Sequence, residues 1–598
     1  MAERELQKNE FAVLAALERE PGASQRELAR RTGLSVGTVN AAAKALEASG
    51  LTAEGSPTDA GRAALAPYRV ENAVIMAAGM STRFAPISYE KPKGLLRVRG
   101  EVLIERQIEQ LREAGIDAIT VIVGYKKEYF FYLEDKYGVS IVVNEEYASR
   151  NNNSSLMAVR DRLGSTYICS SDDYFTENPF EPYQWKACYS AAYQEGPTKE
   201  WCLEIGAGDR IKGVTVGGAD AWYMIGHVYF DRAFSRRFVE ILEAEYDLPQ
   251  TSDKLWEELY VDHIRELDMA VRRFAPGVIH EFDSLDELRE FDPLFLENVD
   301  SEVFDNIVDV LGCTKAEIRD VYPLKQGLTN LSCHFRTDSG EFVYRHPGVG
   351  TEQLIDRSAE VAALKLAKEM GVDDTFIHED PEKGWKISRF IPDARQLDPH
   401  DDAQLARAMA VAREVHSWDV AVKRSFDFFE EGLRYDTLLR ERGPVDVPGY
   451  EEMLAKARRL REHAAADGAP RCLTHNDFFY LNFLFDAEGG LALIDWEYAG
   501  MGDYANDFGT FTVCCELDEA EALAALRHYF GREPTFEEMR HNFAFVALAG
   551  WCWYLWSLVK EAEGDFVGEW LYIYYNYARK YMDKVLRWYD TEAMISEE

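Results

Sequence analysis

Apolar positions over the first 66 residues recur at helical spacing in three short runs, "FAVLAALERE", "SQRELARRTG" and "SVGTVNAAAKALEASG", followed by "LTAEGSPTDAGRAAL". Ser24 and Ser35 stand where a hydroxyl can accept from the free amides of a first helical turn, and Gly33 and Gly50 stand where helices stop. From Asn72 the period changes. Near-continuous apolar runs such as "NAVIMAAG", "AITVIVGY" and "VSIVVNEEY" alternate with amphipathic stretches such as "IERQIEQLREAG", which predicts a mostly parallel sheet covered by helices on both faces. More strands are expected in "CLEIGAGDRIKGVTVGG" and "WYMIGHVYFD". Beyond residue 300, "DVYPLKQGLTNLSCHFRTDSGEFVYRHPG" alternates like a β-hairpin. Helical segments dominate after it, broken by "RCLTHNDFFYLNFLFDAEGGLALIDWEY". The expected domains are residues 1–70, 71–297 and 298–598, a multidomain α/β and α+β chain.

A length of 598 residues exceeds what one hydrophobic core can organise. The formal charge of −39 opposes general binding to nucleic acid or anionic membranes and favours small cations and Mg²⁺. The nine cysteines form no C-x-x-C pair or metal-ligand spacing, so reduced thiols and no zinc site are expected. The amino end has no signal-like apolar core, and "FAFVALAGWCWYLWSLV", followed by Lys560 and Glu561, predicts a buried helix. A cytoplasmic protein without membrane insertion is the expectation.

The first chemical signature is "AAGMSTRF" followed by "EKPKGLLRV". A strand ending in Ala78-Gly79 allows backbone amides to approach a triphosphate, and Arg83 and Lys93 can supply cations to its α-phosphate and leaving pyrophosphate. This resembles the nucleotidyltransferase family that activates sugars and alcohol phosphates, a Rossmann-like fold. Ser81 stands where that family commonly has its second glycine. The resemblance implies Ala78, Gly79, Arg83 and Lys93 at the nucleotide, with Arg83 and Lys93 catalytic, and Asp172 of "SSDDYF" and Asp283 of "HEFDSLDEL" as metal ligands. "HEFDSLDEL" and "SRNNNSSL" are similar to motifs of its phosphocholine cytidylyltransferase branch, which makes Trp201, Trp222 and Tyr223 candidates for an aromatic cage around a quaternary ammonium. The bland alternative makes these tryptophans core and leaves Asp173 and Asp286 as solvated strand-end or helix-cap residues.

The second signature is His475, Asp477 and Asn482 in the order His-x-Asp-x-x-x-x-Asn, then Asp495 in "LIDWEY". Phosphoryl transfer from ATP needs an acid beside the acceptor hydroxyl and an amide and second acid for Mg²⁺. The set resembles the choline kinase and aminoglycoside phosphotransferase superfamily, a protein-kinase-like fold. That resemblance implies Asp477 as catalytic base and Asn482 and Asp495 as metal ligands. It further places Gly327, Thr329 and Asn330 in the phosphate-covering loop and Arg345 at the nucleotide, with Glu360 as its ion-pair partner. Glu497, Tyr498, Trp553 and Trp556 would receive a choline-like acceptor, against a core-stripe alternative for the two tryptophans.

The head resembles a winged helix-turn-helix. It carries nine Lys or Arg and nine Asp or Glu between Met1 and Val70, and its candidate recognition helix offers only Lys44, so docking or dimerisation is favoured over DNA, which stays open, as does a homo-oligomer. The combined expectation is a bifunctional enzyme that phosphorylates choline with ATP and then transfers cytidylyl from CTP to phosphocholine, giving CDP-choline, with Mg²⁺ at both steps. Alternatives are the same chemistry on ethanolamine or another amino alcohol, a transcriptional regulator sensing choline metabolites, or an antibiotic phosphotransferase fused to a sugar-nucleotide enzyme.

Overall fold

A computed structural model describes residues 5–324, 330–347, 355–563 and 567–591. The chain forms two compact units that meet in sequence at Asp305 and Asn306. By compactness the head and the sheet domain fall together in residues 1–305, and residues 306–598 form the other unit.

The head is α1 (Lys8–Arg19), α2 (Gln25–Thr32), α3 (Val36–Ala48), a wing of β1 (Thr52–Ala53) and β2 (Ser56–Pro57), and α4 (Asp59–Leu65). Ser24 Oγ accepts from the Glu27 amide while the Glu27 carboxylate accepts from the Ser24 amide, and Ser35 Oγ accepts from the Thr38 amide. Gly33 ends α2 in the left-handed region at φ 69°. The expected caps and stops are therefore present. Val13, Leu14, Leu28, Val39 and Leu46 form the head's core. Phe11 of α1 sits 5.0 Å from Tyr68 and 5.4 Å from Trp185, which stacks on Tyr68 at 5.0 Å. Aromatic pairs contribute about 0.5–1.5 kcal/mol each beyond burial, enough to tie the head to the sheet domain.

That domain has a seven-stranded sheet in the order Ala270–Arg273, Cys188–Ile205, Ile211–Phe230, Thr166–Ser170, β3 (Asn72–Ala77), Ile119–Val123, Ser140–Val143. Around β3 the pairing is parallel on both sides. The expected parallel sheet holds there, while the long hairpin Cys188–Ile205/Ile211–Phe230 brings in antiparallel pairing, with the edge strand Ala270–Arg273 again parallel to its neighbour. Ala73, Val74 and Ile75 are wholly buried, which is why this strand reads as a continuous apolar run. Ile104, Ile108 and Leu111 of the helix Leu103–Glu113 cover one face, and Phe234, Phe238 and Ile241 of Arg232–Glu245 cover the other.

The second unit opens with a five-stranded antiparallel sheet in the order Arg319–Pro323, Asn330–Thr337, Gly340–Pro347, Lys386–Arg389, Phe376–Glu379, accompanied by the helix Arg357–Glu369. A helical body follows, built around the helix Phe536–Glu563. This helix is long and apolar enough to cross a membrane by composition, yet 94% of its most apolar window is buried. Helices apolar on all sides belong inside large cores. Gly550 shows how tightly: a Cβ there would lie 2.8 Å from the Ala578 nitrogen and 3.0 Å from the Tyr574 oxygen. All nine cysteines are free thiols.

Candidate active sites

In the first unit the strand order reverses between β3 and Thr166–Ser170, and open α/β sheets place ligand crevices at such points. The chain leaving β3 lines a cleft with Ala78 and Gly79, opposite Asn152, Ser155 and Asp172. A Cβ at Gly79 would meet no protein atom within 4 Å, so the protein's own packing does not demand that glycine. Ser81 adopts left-handed φ 50° and ψ 44°, which explains why glycine suits this position.

Lys93 is placed by a close approach: a Cβ on Gly94 would lie 2.7 Å from Ser171 Oγ. Its buried ammonium pairs with Asp172 Oδ2 at 2.5 Å and donates to the Phe282 carbonyl. One cation thus joins the "SSDDYF" strand end to the "HEFDS" segment, 110 residues later. Arg83 pairs with Asp283 at 2.6 Å, both side chains remaining solvent-accessible. Asp173 is not the solvated residue of the bland reading. It is fully buried with neither carboxylate oxygen hydrogen-bonded, and burial, then Glu281 and Asp172, hold its carboxyl well above the usual range. Glu281 keeps solvent contact but lies in a crowded cleft, where desolvation and then Asp172 push it up to about 7.

The asparagine run acts as a clamp. Buried Asn153 donates to the Thr251 and Lys254 carbonyls, while Asn152 accepts from the Trp256 amide at 2.7 Å and donates to Glu257 at 3.2 Å. Burial raises Glu257 to about 7.

The proposed three-ring cage is not assembled. Trp222 and Tyr223 are adjacent on a strand and so face opposite sides of the sheet, Trp222, like Trp201, lying on the side of Phe238 and Tyr223 on the side of Ile108. Arg273 stacks 5.3 Å from the Trp222 ring centre, so that face already holds a cation. Tyr223 is the member near the carboxylates: its hydroxyl is raised first by burial, then by Glu200 and Glu281.

In the second unit the strand Arg471–Thr474, paired with Gly500–Asp503, leads into the loop bearing His475 and Asp477. Asn476 and Asp495 both take left-handed backbone, at φ 68° and 67°. Fully buried Asp507 holds the loop by accepting from the amides of His475 at 3.0 Å and Asn476 at 2.7 Å. Asn482 donates to Asp477 Oδ2 at 2.8 Å, leaving its own amide oxygen as the acceptor. Burial, then Asp495 and Glu497, hold Asp477 well above the usual carboxylate range.

Arg345 lies at the centre of the inner cleft. It pairs with Glu360 at 2.6 Å, Asp495 at 3.1 Å, Glu379 at 3.4 Å and Glu497 at 3.6 Å. Glu360 is held down at about 2: although burial raises it, Arg345, Lys386 and Arg357 outweigh that. Glu379, with less compensation, is pushed by burial up to about 8. Glu360, Asp495 and Glu497 present oxygens within 4.8 Å of one another. Glu497, expected at the acceptor, therefore belongs to this ionic cluster, where Asn330 also donates to it at 3.0 Å. Leu324, Val343, Phe390, Ile391, Leu484 and Ile494 line an adjoining cleft that Arg345, Lys386 and Asp495 close at its polar end. Tyr498, Trp553 and Trp556 form an edge-to-face aromatic chain with spacings of 5.4 and 6.3 Å, all nearly buried. Gly327 and Thr329 lie outside the described residues.

Sequence reasoning missed Lys386, 3.3 Å from Glu360 and 3.6 Å from Asp495, because a lone lysine opening a short strand has no pattern. Asp507, Glu379, Glu257 and Glu281 were equally silent. Their roles come from long-range contacts.

A head, a switch-point nucleotide cleft and a kinase-like cleft define a multidomain transferase. Three families match in chain order: Winged helix-turn-helix DNA-binding over residues 6–51, MobA-like NTP transferase domain over 73–172, and Phosphotransferase enzyme family over 320–541. The first unit is 35% identical over 222 residues, 37% of this chain and 97% of the other, to choline-phosphate cytidylyltransferase of Streptococcus pneumoniae. It is 37% identical over 225 residues, 37% of this chain and 92% of the other, to 2-aminoethylphosphonate cytidylyltransferase of Lancefieldella rimae. The crystal structure of choline kinase LicA from Streptococcus pneumoniae aligns at 25% identity, covering 47% of this chain and 97% of that one, with a TM-score of 0.42. The chain belongs to the cytidylyltransferase family of these first two relatives, joined to a winged helix and a domain of the phosphotransferase enzyme family.

Proposed function

We propose that the chain makes CDP-choline in two steps. In the second unit Asp477 takes the proton of the choline hydroxyl as its oxygen attacks the γ-phosphorus of ATP, releasing ADP. In the first unit an oxygen of phosphocholine attacks the α-phosphorus of CTP and pyrophosphate leaves, with Arg83 and Lys93 stabilising the developing charge. The observation that carries the proposal is one chain holding two clefts, each joining buried cations to a carboxylate set.

Those sets consist of hard oxygen donors, Asp172 and Asp283 in one unit and Asp495 with Asn482 in the other, and suit Mg²⁺. Glu497, close to Asp495, is a further candidate. When bound, Mg²⁺ would neutralise charge on the phosphates being transferred.

The likeness to a 2-aminoethylphosphonate enzyme supports a second substrate for the first unit. A phosphonate already carries its phosphorus on carbon and needs no kinase, so the fused phosphotransferase domain favours a phosphate ester. Ethanolamine is the nearer competitor. The purified chain with ATP, CTP and either choline, ethanolamine or 2-aminoethylphosphonate, its products read by mass, decides. CDP-choline as the dominant product is expected; formation of only the phosphonate product would overturn the two-step scheme.

A further inference from the structure

A groove of about 510 Å³ opens between α1 and α2 of the head and residues 181–184 of the sheet domain. That volume lies in the range of small-molecule sites. Its α1 wall is apolar, with Ala12, Ala15 and Ala16 beside Phe11. Arg19, Arg31 and Arg272 line it against one lining carboxylate, Glu181. Glu181 serves two of the three, Arg19 at 3.1 Å and Arg272 at 4.0 Å, while Arg31 pairs with Glu20. In a chain of net charge −39 this is a local reversal of sign. The Arg272 guanidinium is also poorly satisfied, its Nη1 being buried without a hydrogen bond, and such groups call for an explanation.

We infer that this groove is a regulatory site for a nucleoside diphosphate ester of an amino alcohol, the class of product proposed above; the inference rests on that reading. Guanidiniums match the two charges of a pyrophosphate diester bidentately, the alanine-lined wall offers an apolar seat for the base, and Glu181, which now holds Arg19 and Arg272, would turn to the ammonium as those guanidiniums take the phosphates. A nucleoside triphosphate would bring more negative charge than the groove offsets and nothing for Glu181. The groove also bridges the two parts of the unit. Arg272 lies on the strand Ala270–Arg273, in register with Ser190 of the strand that carries Tyr189, whose hydroxyl donates to Glu257 behind the catalytic cleft. Occupancy would therefore bear on both the head and the cytidylyltransferase sheet.

The test is calorimetric titration of the full chain with CDP-choline, CDP and choline separately, none of which requires turnover, so a chain that failed the product assay would still be scored here. Two CDP-choline sites are expected. The double variant Arg19→Ala/Arg31→Ala should weaken one at least tenfold, leave the initial rate of cytidylyl transfer unchanged, and abolish any inhibition by CDP-choline that is not competitive with CTP. Glu181→Gln should cut the preference for CDP-choline over CDP without weakening CDP. A single site, or a second site indifferent to the arginine substitutions, overturns the inference. Equal binding of CDP and CDP-choline overturns the amino-alcohol part of it. Circular dichroism melting checks that the variants fold.

Discussion

His541 provides a quantitative test of how the His475–Asp477 loop of the second unit is held. Its Nδ1 contacts Asp467 Oδ2 and its Nε2 contacts Asp503 Oδ1, both at 3.0 Å, in a side chain that is 4% exposed. Asp503 ends the strand paired with Arg471–Thr474, from which the His475–Asp477 loop springs. Arg540 and Tyr589 also contact Asp467, and Tyr504 stacks on the imidazole at 5.7 Å. Burial alone would lower the imidazole, but the hydrogen bonds to Asp467 and Asp503 overcome it and raise His541 from 6.5 to about 9. Raising it from 6.5 to about 9 corresponds to about 3.5 kcal/mol in the fully protonated limit, at about 1.4 kcal/mol per pH unit. Because the folded value is the higher one, this stabilisation is fully present below pH 6.5 and is lost as pH rises through 9. His541→Gln should therefore be less stable than the parent by about 3 kcal/mol at pH 6, and the gap should nearly close by pH 10. In a chain of two units no single midpoint defines stability, so the measurement is hydrogen exchange in peptides spanning residues 471–507 and 536–563. Parallel pH profiles for parent and variant between pH 6 and 10 would refute the reasoning.

Asp477→Ala should reduce choline phosphorylation 10²-fold or more and spare cytidylyl transfer, and Asp172→Ala should do the reverse; separate assays with choline and with phosphocholine check both. Gly94→Ala would press a Cβ onto Ser171 and displace Lys93 from Asp172, so cytidylyl transfer is expected to fall by about 10²-fold with the kinase rate unchanged. Tyr223→Ala should raise the KM for phosphocholine by roughly 2- to 30-fold, the equivalent of one cation–π contact, whereas Trp222→Ala should leave it unaltered. An equal effect of the two would restore the original cage.

What the chain alone determined is local and periodic. The helix caps at Ser24 and Ser35, the buried run of β3, the lysine after its proline, and the order His475, Asp477, Asn482, Asp495 are all short-range patterns, since caps, pleats and catalytic loops depend on residues a few positions apart. The pairing of Arg345 with Glu360 was legible only through the family resemblance, and the structure brings the two together at 2.6 Å. Tertiary structure decided everything that depends on which side of an element faces which neighbour. Trp222 and Tyr223 are consecutive letters on opposite faces of a sheet. Glu497 lies two residues after Asp495 and turns into the ionic cluster with it. Asp173 is buried although its neighbour Asp172 reaches Lys93. Burial and pairing, which set the charge state of a carboxylate, arise from atoms tens to more than a hundred residues away, and the linear order carries no record of their approach.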